Sequence, residues 1–451
     1  MGKFIDTIHF KIKRRPRKKI PSWLIYLAVL IIFSLTSFFY FGRLGADFVL
    51  EKIDPISLFR DGKYIVLFQN NAEVRSSGGF IGSYAVADIH NLEIENLSFN
   101  TNIIALDRRF TDSNYLEPPA DALKKFLKGQ GWALRDSNYD ASFPEAAADI
   151  SNFYTQETGD SVEGIIALNA QVMVDLLKIT GPIHLDKYAL TISADNFYET
   201  TQYQIEKAYF TDPENWVINE PKTFLKDLYP EIINRALGHK IELAKLIKKE
   251  LAAKEIIFYF RDPAKQQAAV AHNWAGKVPT EQELKDLFET NQDVDYLYIN
   301  SNSYSGDKSS IKIKENVDYR VGPNEQDNLV ANLKITRVHT GSYVWPDGPN
   351  DNWLRVFVPA GSMLLSAKLN EKDISKEIIV GTEAEKSFFG YQIFTNPGQA
   401  NILEFSYLLP LKNGEYHLLV QKQPGVVGDQ LTVLHQSELL YNGILDGDRK
   451  F

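Results

Sequence analysis

The sequence predicts an α/β domain, a mixed sheet with helices, followed by an all-β sandwich, with one apolar helix ahead of both. Three observations carry that prediction. Residues 22–41, SWLIYLAVLIIFSLTSFFYF, run for twenty positions without a charge. From residue 64 to about 300, short β-type runs alternate with stretches of helical spacing. Beyond about residue 301, runs of four to eight residues alternate apolar and polar, and Gly, Pro, Asn and Asp punctuate them.

Residues 11–19, KIKRRPRKK, place seven basic side chains directly before the apolar run. Twenty apolar residues span a hydrocarbon core of roughly 30 Å as a helix, and a basic flank holds its end in the cytoplasm. Trp23, Tyr26 and Tyr40 lie near the two ends, where amphipathic rings prefer the interface. The expectation is a single-pass signal anchor in the plasma membrane, N-terminus cytoplasmic and everything after Arg43 extracytoplasmic. The expected divisions are 1–21 basic tail, 22–41 transmembrane helix, 42–63 linker, 64–305 α/β domain and 306–451 sandwich. The tail and helix would take membrane lipid as their partner.

Net charge is −9. Without the eight basic residues and one acidic residue of the first 21 positions, 41 basic and 57 acidic residues remain, or −16. Such a surface repels phosphate backbones, so nucleic acid is not expected as a partner. The chain has no cysteine, which excludes disulfides, thiolate metal sites and cysteine nucleophiles. Its eight histidines form neither H-x-x-x-H nor H-E-x-x-H, and no G-x-S-x-G, Walker loop or G-x-G-x-x-G occurs. Neither a metal site nor a cofactor is therefore expected.

In chain order, strands are expected at 64–68, 81–89 and 92–98. A polar stretch follows through Asp107, Arg108 and Arg109. Residues 118–128 and 144–157 read as helices with proline in the first turn. A strand at 164–168 leads to a helix at 170–179, stopped by Thr180-Gly181-Pro182. Phe224, Leu228, Ile232, Leu243, Ile247 and Leu251 keep helical spacing, broken near Gly238. Strands follow at 256–260 and 294–299. The evenly spaced strands beyond residue 311 suggest an antiparallel sandwich of immunoglobulin-like size.

The turn within residues 64–84, YIVLFQNNAEVRSSGGFIGSY, is the candidate site. Asn70 and Asn71 supply neutral donors and acceptors. Glu73 adds a carboxylate, Arg75 is able to clamp a phosphate or carboxylate, and Gly78-Gly79 permit backbone N–H groups to approach an anion. The same residues also fit a hairpin in which Glu73 and Arg75 pair with each other. Arg108 or Arg109 would join Arg75, and Lys308 would approach from the domain junction. Asp107 and Asp112 are the nearby acidic residues.

The phrases FQNNAEVRSSGGFIGSY (68–84), VEGIIALNAQVMVDLLKITGPI (162–183), FVPAGS (357–362) and YLLPLKNGEYHLLVQKQPG (407–425) resemble domain of unknown function family 4012. That resemblance implies a membrane-anchored bacterial envelope protein without an established activity. The order of strand, arginine-bearing loop, strands and helices also looks like the LytR-CpsA-Psr phosphotransferases, which move glycans from polyprenyl pyrophosphate carriers to the wall. Under that likeness Arg75 falls near the first family arginine, and Arg108 or Arg109 near the second. Gly78-Gly79 stand where the family has its magnesium-binding aspartate, and residues 198–228 contain no arginine. The leading expectation is therefore an envelope protein that binds an anionic or glycan ligand at Asn70, Asn71, Glu73, Arg75, Gly78, Gly79 and Arg108. The alternative is an enzyme, a phosphotransferase acting on a lipid-linked glycan.

Overall fold

The computed structural model describes residues 58–59, 61–91, 93–100, 102–303, 306–411 and 415–451. The basic tail, the expected transmembrane helix and most of the linker lie outside these residues. Among the described residues no helix is long and apolar enough to cross a membrane. The architecture is mixed α/β with several sheets and, among the described residues, ten α-helices.

The first layered unit begins with β1 (Gly62–Arg75), β2 (Gly78–His90) and β3 (Glu93–Asn100), followed by α1 (Ile103–Thr111), α2 (Asp121–Leu127) and α3 (Phe143–Thr158). Next come β4 (Gly164–Asn169), α4 (Gln171–Thr180), the small hairpin β5 (Ile183–Leu185) and β6 (Leu190–Ile192), α5 (Phe197–Glu206) and α6 (Pro213–Ile218). After them run α7 (Thr223–Ala236), α8 (Lys240–Ala252), β7 (Ile256–Phe260), α9 (Pro263–Ala271) and α10 (Glu281–Leu287). The main sheet has the order β3-β2-β1-β4-β7, and only the β1·β4 pair is parallel.

Residues 64–68 of β1 and 164–168 of β4 are apolar at every position because both faces of the sheet are covered there. Tyr64 and Val66 point to a core shared with α4, α7 and α8. Ile65 and Leu67 point to another core shared with α1 and α3. The break expected near Gly238 separates α7 from α8, and Gly181 caps α4 at φ 71. The polar stretch at Asp107, Arg108 and Arg109 is helical: it forms α1, whose N-cap Asn102 accepts a hydrogen bond from the Ala105 N–H.

The remaining strands are β8 (Asp295–Ser303), β9 (Ile313–Pro323), β10 (Leu329–His339), β11 (Asn350–Val358), β12 (Met363–Leu369), β13 (Lys372–Asp373) and β14 (Ile379–Glu383). They are followed by β15 (Lys386–Thr395), β16 (Ala400–Leu408), β17 (Leu418–Gln421), β18 (Gln430–His435), β19 (Glu438–Ile444) and β20 (Arg449–Lys450). Two sheets, ordered β13-β12-β16-β10-β9-β18-β19 and β14-β15-β11-β8-β17-β20, enclose one apolar core. Two pairs in them, β9·β18 and β8·β17, are parallel, so the sheets are not wholly antiparallel.

Strand β8 precedes the expected 305/306 division yet lies in the middle of the six-stranded sheet, between β11 and β17. Its alternation explains the placement. Leu297 and Ile299 face the core between the two sheets, whereas Tyr296 and Tyr298 face the α/β layer through a cluster that includes Ala141, Val278 and Leu284.

Candidate functional site

The β1–β2 turn consists of Ser76 and Ser77, and both are fully buried. It is seated against the inner face of the six-stranded sheet. The Ser76 carbonyl accepts from Asn300 Nδ2 at 2.8 Å, and its Oγ accepts from an Arg355 Nη2 donor at 2.7 Å. Gln423 Nε2 donates to the Arg75 carbonyl at 2.9 Å. Arg75 itself is 3% exposed. It donates to the Ser303 carbonyl, lies 3.8 Å from Glu73 and 3.9 Å from Asp136, and sits between the rings of Phe80 and Phe126.

Asn71 is likewise built into the junction, donating to the Gly425 carbonyl at 2.6 Å and to Glu255 at 3.2 Å. The two glycines answer a packing need. Strand β1 bulges between Asn70 and Val74, and a Cβ on Gly79 would stand 2.3 Å from the Asn70 backbone. Gly78, at φ 134, is pressed against the Gln69 side chain. Neither glycine offers an oxygen side chain, so the magnesium position implied by the phosphotransferase likeness does not fit here.

Beside this junction lies a cavity of about 990 Å³, walled by β1, β2, α1, α5 and the start of α7. Its apolar wall is aromatic, with Phe68, Phe80, Phe197, Tyr198, Phe210 and Tyr229. Into the same space come Arg108 and Arg109 from the last turn of α1, Lys222 from just before α7, and Lys308. The acidic residues Glu73, Glu206 and Asp112 accompany them. The seven expected residues therefore divide: Asn70, Glu73 and Arg108 line the cavity, whereas Asn71, Arg75, Gly78 and Gly79 are buried behind it. Asp107 and Arg108 part company because neighbouring helical residues point about 100° apart. Asp107 is buried beside Glu157 and Arg135.

Lys222 and the α5 side chains were not anticipated. The readable signal for α5 is Phe197, Thr201 and Ile205 at intervals of four. Lys222 donates to the Gly82 carbonyl. Enclosure lowers its pKa to about 8 against the pull of Glu73. Burial also pushes on Lys308, but Glu73 and Glu206 outweigh it and leave its pKa raised; Lys308 is ion-paired to both. Burial raises the hydroxyl of Tyr198 well above the usual tyrosine range. Among the described residues no three histidine, cysteine or acidic side chains converge to hold a metal ion. Chemically, the cavity offers a long apolar wall with several ammonium and guanidinium groups, a setting for a molecule with a greasy body and an anionic end.

The fold and cavity define a mixed α/β protein with a partly enclosed cleft roofed by helices. Within it, residues 61–205 match the model of a family described as Protein of unknown function (DUF4012). Curated protein sequences give no significant match. Among solved structures, a candidate nutrient-binding protein from Legionella pneumophila is similar at 11% identity over 28% of this chain and 54% of that one, with a TM-score of 0.20. Legionella pneumophila aminopeptidase A matches at 14% identity over 27% and 16% of the two chains, TM-score 0.18. An M1 zinc metallopeptidase from Deinococcus radiodurans matches at 13% identity over 27% and 32%, TM-score 0.16. The chain thus spans about half or less of each of these proteins.

Proposed function

We propose that this is a single-pass, membrane-anchored extracytoplasmic protein of the bacterial envelope whose α/β domain binds an anionic amphiphile, with a polyprenyl-phosphate carrier of surface glycan as the ligand class. The observation that carries this reading is the cavity of about 990 Å³ in which an aromatic wall meets Arg108, Arg109, Lys222 and Lys308. An apolar chain gains by leaving water for such a wall, at about 25 cal/mol per Å² buried, while the basic groups neutralise the head. The charge-free run at 22–41 behind seven basic residues supports the anchor, and would hold the domain where such carriers are found. In this reading the sandwich is an immunoglobulin-like spacer that also closes the back of the site.

The phosphotransferase alternative is favoured by one observation: Asp112 shares the cavity with Arg108 and Arg109. Against it, Arg75 and Asp107 are turned away from the cleft, and Gly78-Gly79 replace the metal-binding acid. Binding without transfer is therefore the reading adopted.

The test is titration of the full chain in detergent with undecaprenyl diphosphate. Saturable binding is expected, weakened roughly tenfold, or about 1.4 kcal/mol, in an Arg108→Ala/Arg109→Ala double variant. Equal binding by both proteins, or by neither, overturns the site. With a glycan-bearing undecaprenyl diphosphate and a hydroxyl-bearing wall-glycan acceptor added instead, transfer of the glycan with release of the polyprenyl phosphate carrier would decide for the enzyme. Protease added to intact spheroplasts should digest the chain beyond residue 41, and protection there would remove the extracytoplasmic placement.

A further inference from the structure

A second, smaller cavity of about 190 Å³ opens between α5 and the sandwich loop at residues 341–349. It shares Tyr198, Gln202 and Lys308 with the large cavity, so the two adjoin at these side chains. Their chemistry differs. The small one is faced by the indole of Trp345 and by Gln202, Ser342, Glu199, Asp347 and Lys312. Asp347 lies 3.9 Å from Lys312, and Lys308 is already paired to Glu73 and Glu206, so the small cavity offers many hydrogen-bonding groups while both of its lysines are occupied.

The loop is held in shape before anything binds. Asp347 accepts from the Ser342 N–H at 3.0 Å, and the Gly348 N–H donates to the Ser342 carbonyl at 3.0 Å. Glu206 joins the two cavities, accepting from Trp345 Nε1 at 3.2 Å while lying 3.3 Å from Lys308. One face of the indole is covered by the Lys207 ammonium, 3.8 Å from the ring centroid.

We propose that this junction is a saccharide subsite, in which one sugar ring lies against Trp345 while its hydroxyls bond to Gln202, Ser342 and Asp347. The inference deepens, and rests on, the cavity reading above: the apolar tail occupies the large cavity, the anionic group sits near Lys308, and the first sugar enters the small one. A pyranose has an apolar C–H face that suits an indole and a rim of hydroxyls that need paired donors and acceptors. With Lys308 and Lys312 both paired to carboxylates, the small cavity suits an uncharged polyol better than a second anion. At roughly 30 Å³ per water the space equals about six waters, enough for one ring. In this assignment the sandwich contributes directly to ligand choice.

The experiment compares farnesyl diphosphate with farnesyl-diphospho-N-acetylglucosamine on the full chain. Wild type should bind the sugar-bearing probe roughly three- to tenfold more tightly, the worth of one aromatic contact. In Trp345→Ala that ratio should fall to about one, and Trp345→Phe, which keeps a ring, should restore part of it. A ratio of one in wild type, or the same ratio in all three proteins, overturns the subsite. If neither prenyl probe binds, the large-cavity reading fails, and chitobiose decides the subsite alone. Saturable quenching of tryptophan fluorescence that weakens in Gln202→Ala then supports it, and no saturable response overturns it.

Discussion

Two cations show how differently one charge is used at residue scale. Lys222 is enclosed against an aromatic wall, and the fold holds its pKa near 8 while an unfolded lysine keeps its proton to about 10.5. Between those values the unfolded chain binds more protons, so this residue makes stability rise with pH from about 8 to 10.5. Ligand affinity has the opposite sign, because an anion needs the ammonium: binding of farnesyl diphosphate should weaken as pH rises through about 8. Lys222→Met should flatten both dependences, and a pH profile of affinity unchanged by that substitution would remove Lys222 from the site. Arg75, in contrast, is a buried tie between layers, wedged between Phe80 and Phe126 and bonded to Ser303. Arg75→Ala leaves Glu73 with Lys308 and Asp136 with Arg135 but removes the donor to the buried Ser303 carbonyl, at a cost of about 1–3 kcal/mol in urea unfolding. Its affinity for farnesyl diphosphate should match wild type, and a loss of affinity at unchanged stability would return Arg75 to the binding site.

Helix α1 divides its labour by face at the scale of elements. Arg108 and Arg109 look into the cavity, while Asp107 is buried against the Glu157 carboxyl. Burial, with Glu157 adding to it and Arg135 opposing, raises the Asp107 pKa to about 8. An acid raised in the fold contributes stability that is complete below its unfolded value near 4 and is lost as pH climbs towards 8. Asp107→Asn, which imitates the protonated form, should therefore change melting least near pH 3.5 and raise the melting temperature increasingly towards pH 9; equal effects at both would refute the assignment. The helix was hidden in the sequence because its polar residues cluster in DRR, yet Asn102 before IIAL was a legible N-cap. The strands were plain: YIVLF has both faces covered, and Leu354, Val356 and Val358 alternate towards one core. The paired glycines of the turn at Asn70 to Gly79 raise the expectation that backbone N–H groups approach an anion, but sequence cannot say whether the approaching group is a ligand or another strand. Here Asn70 fills that space, and the ligand-sized void lies one layer away, walled by residues 197–222, whose mixed aromatic and polar pattern has no clear period beyond the spacing of Phe197, Thr201 and Ile205.

For the whole molecule, the decisive fact is that the six-stranded sheet uses both of its faces. One closes the sandwich core; the other receives the Ser76 tip through Asn300, Arg355 and Gln423. Buried polar groups of this kind are costly unless every partner is present, so the two layers are expected to unfold together. The same wiring separates the matched stretch from a unit able to fold alone. The stretch that matches the family ends at residue 205, whereas β4 is completed only by β7, fifty residues further on, through the Gly164↔Phe260 to Leu168↔Ile256 pairing. A polypeptide cut to residues 61–205 would offer the edge of GIIALN, apolar up to Asn169, to its neighbours and seek its missing strand in another copy. The stretch that resembles other proteins is thus shorter than what must be made to stand alone.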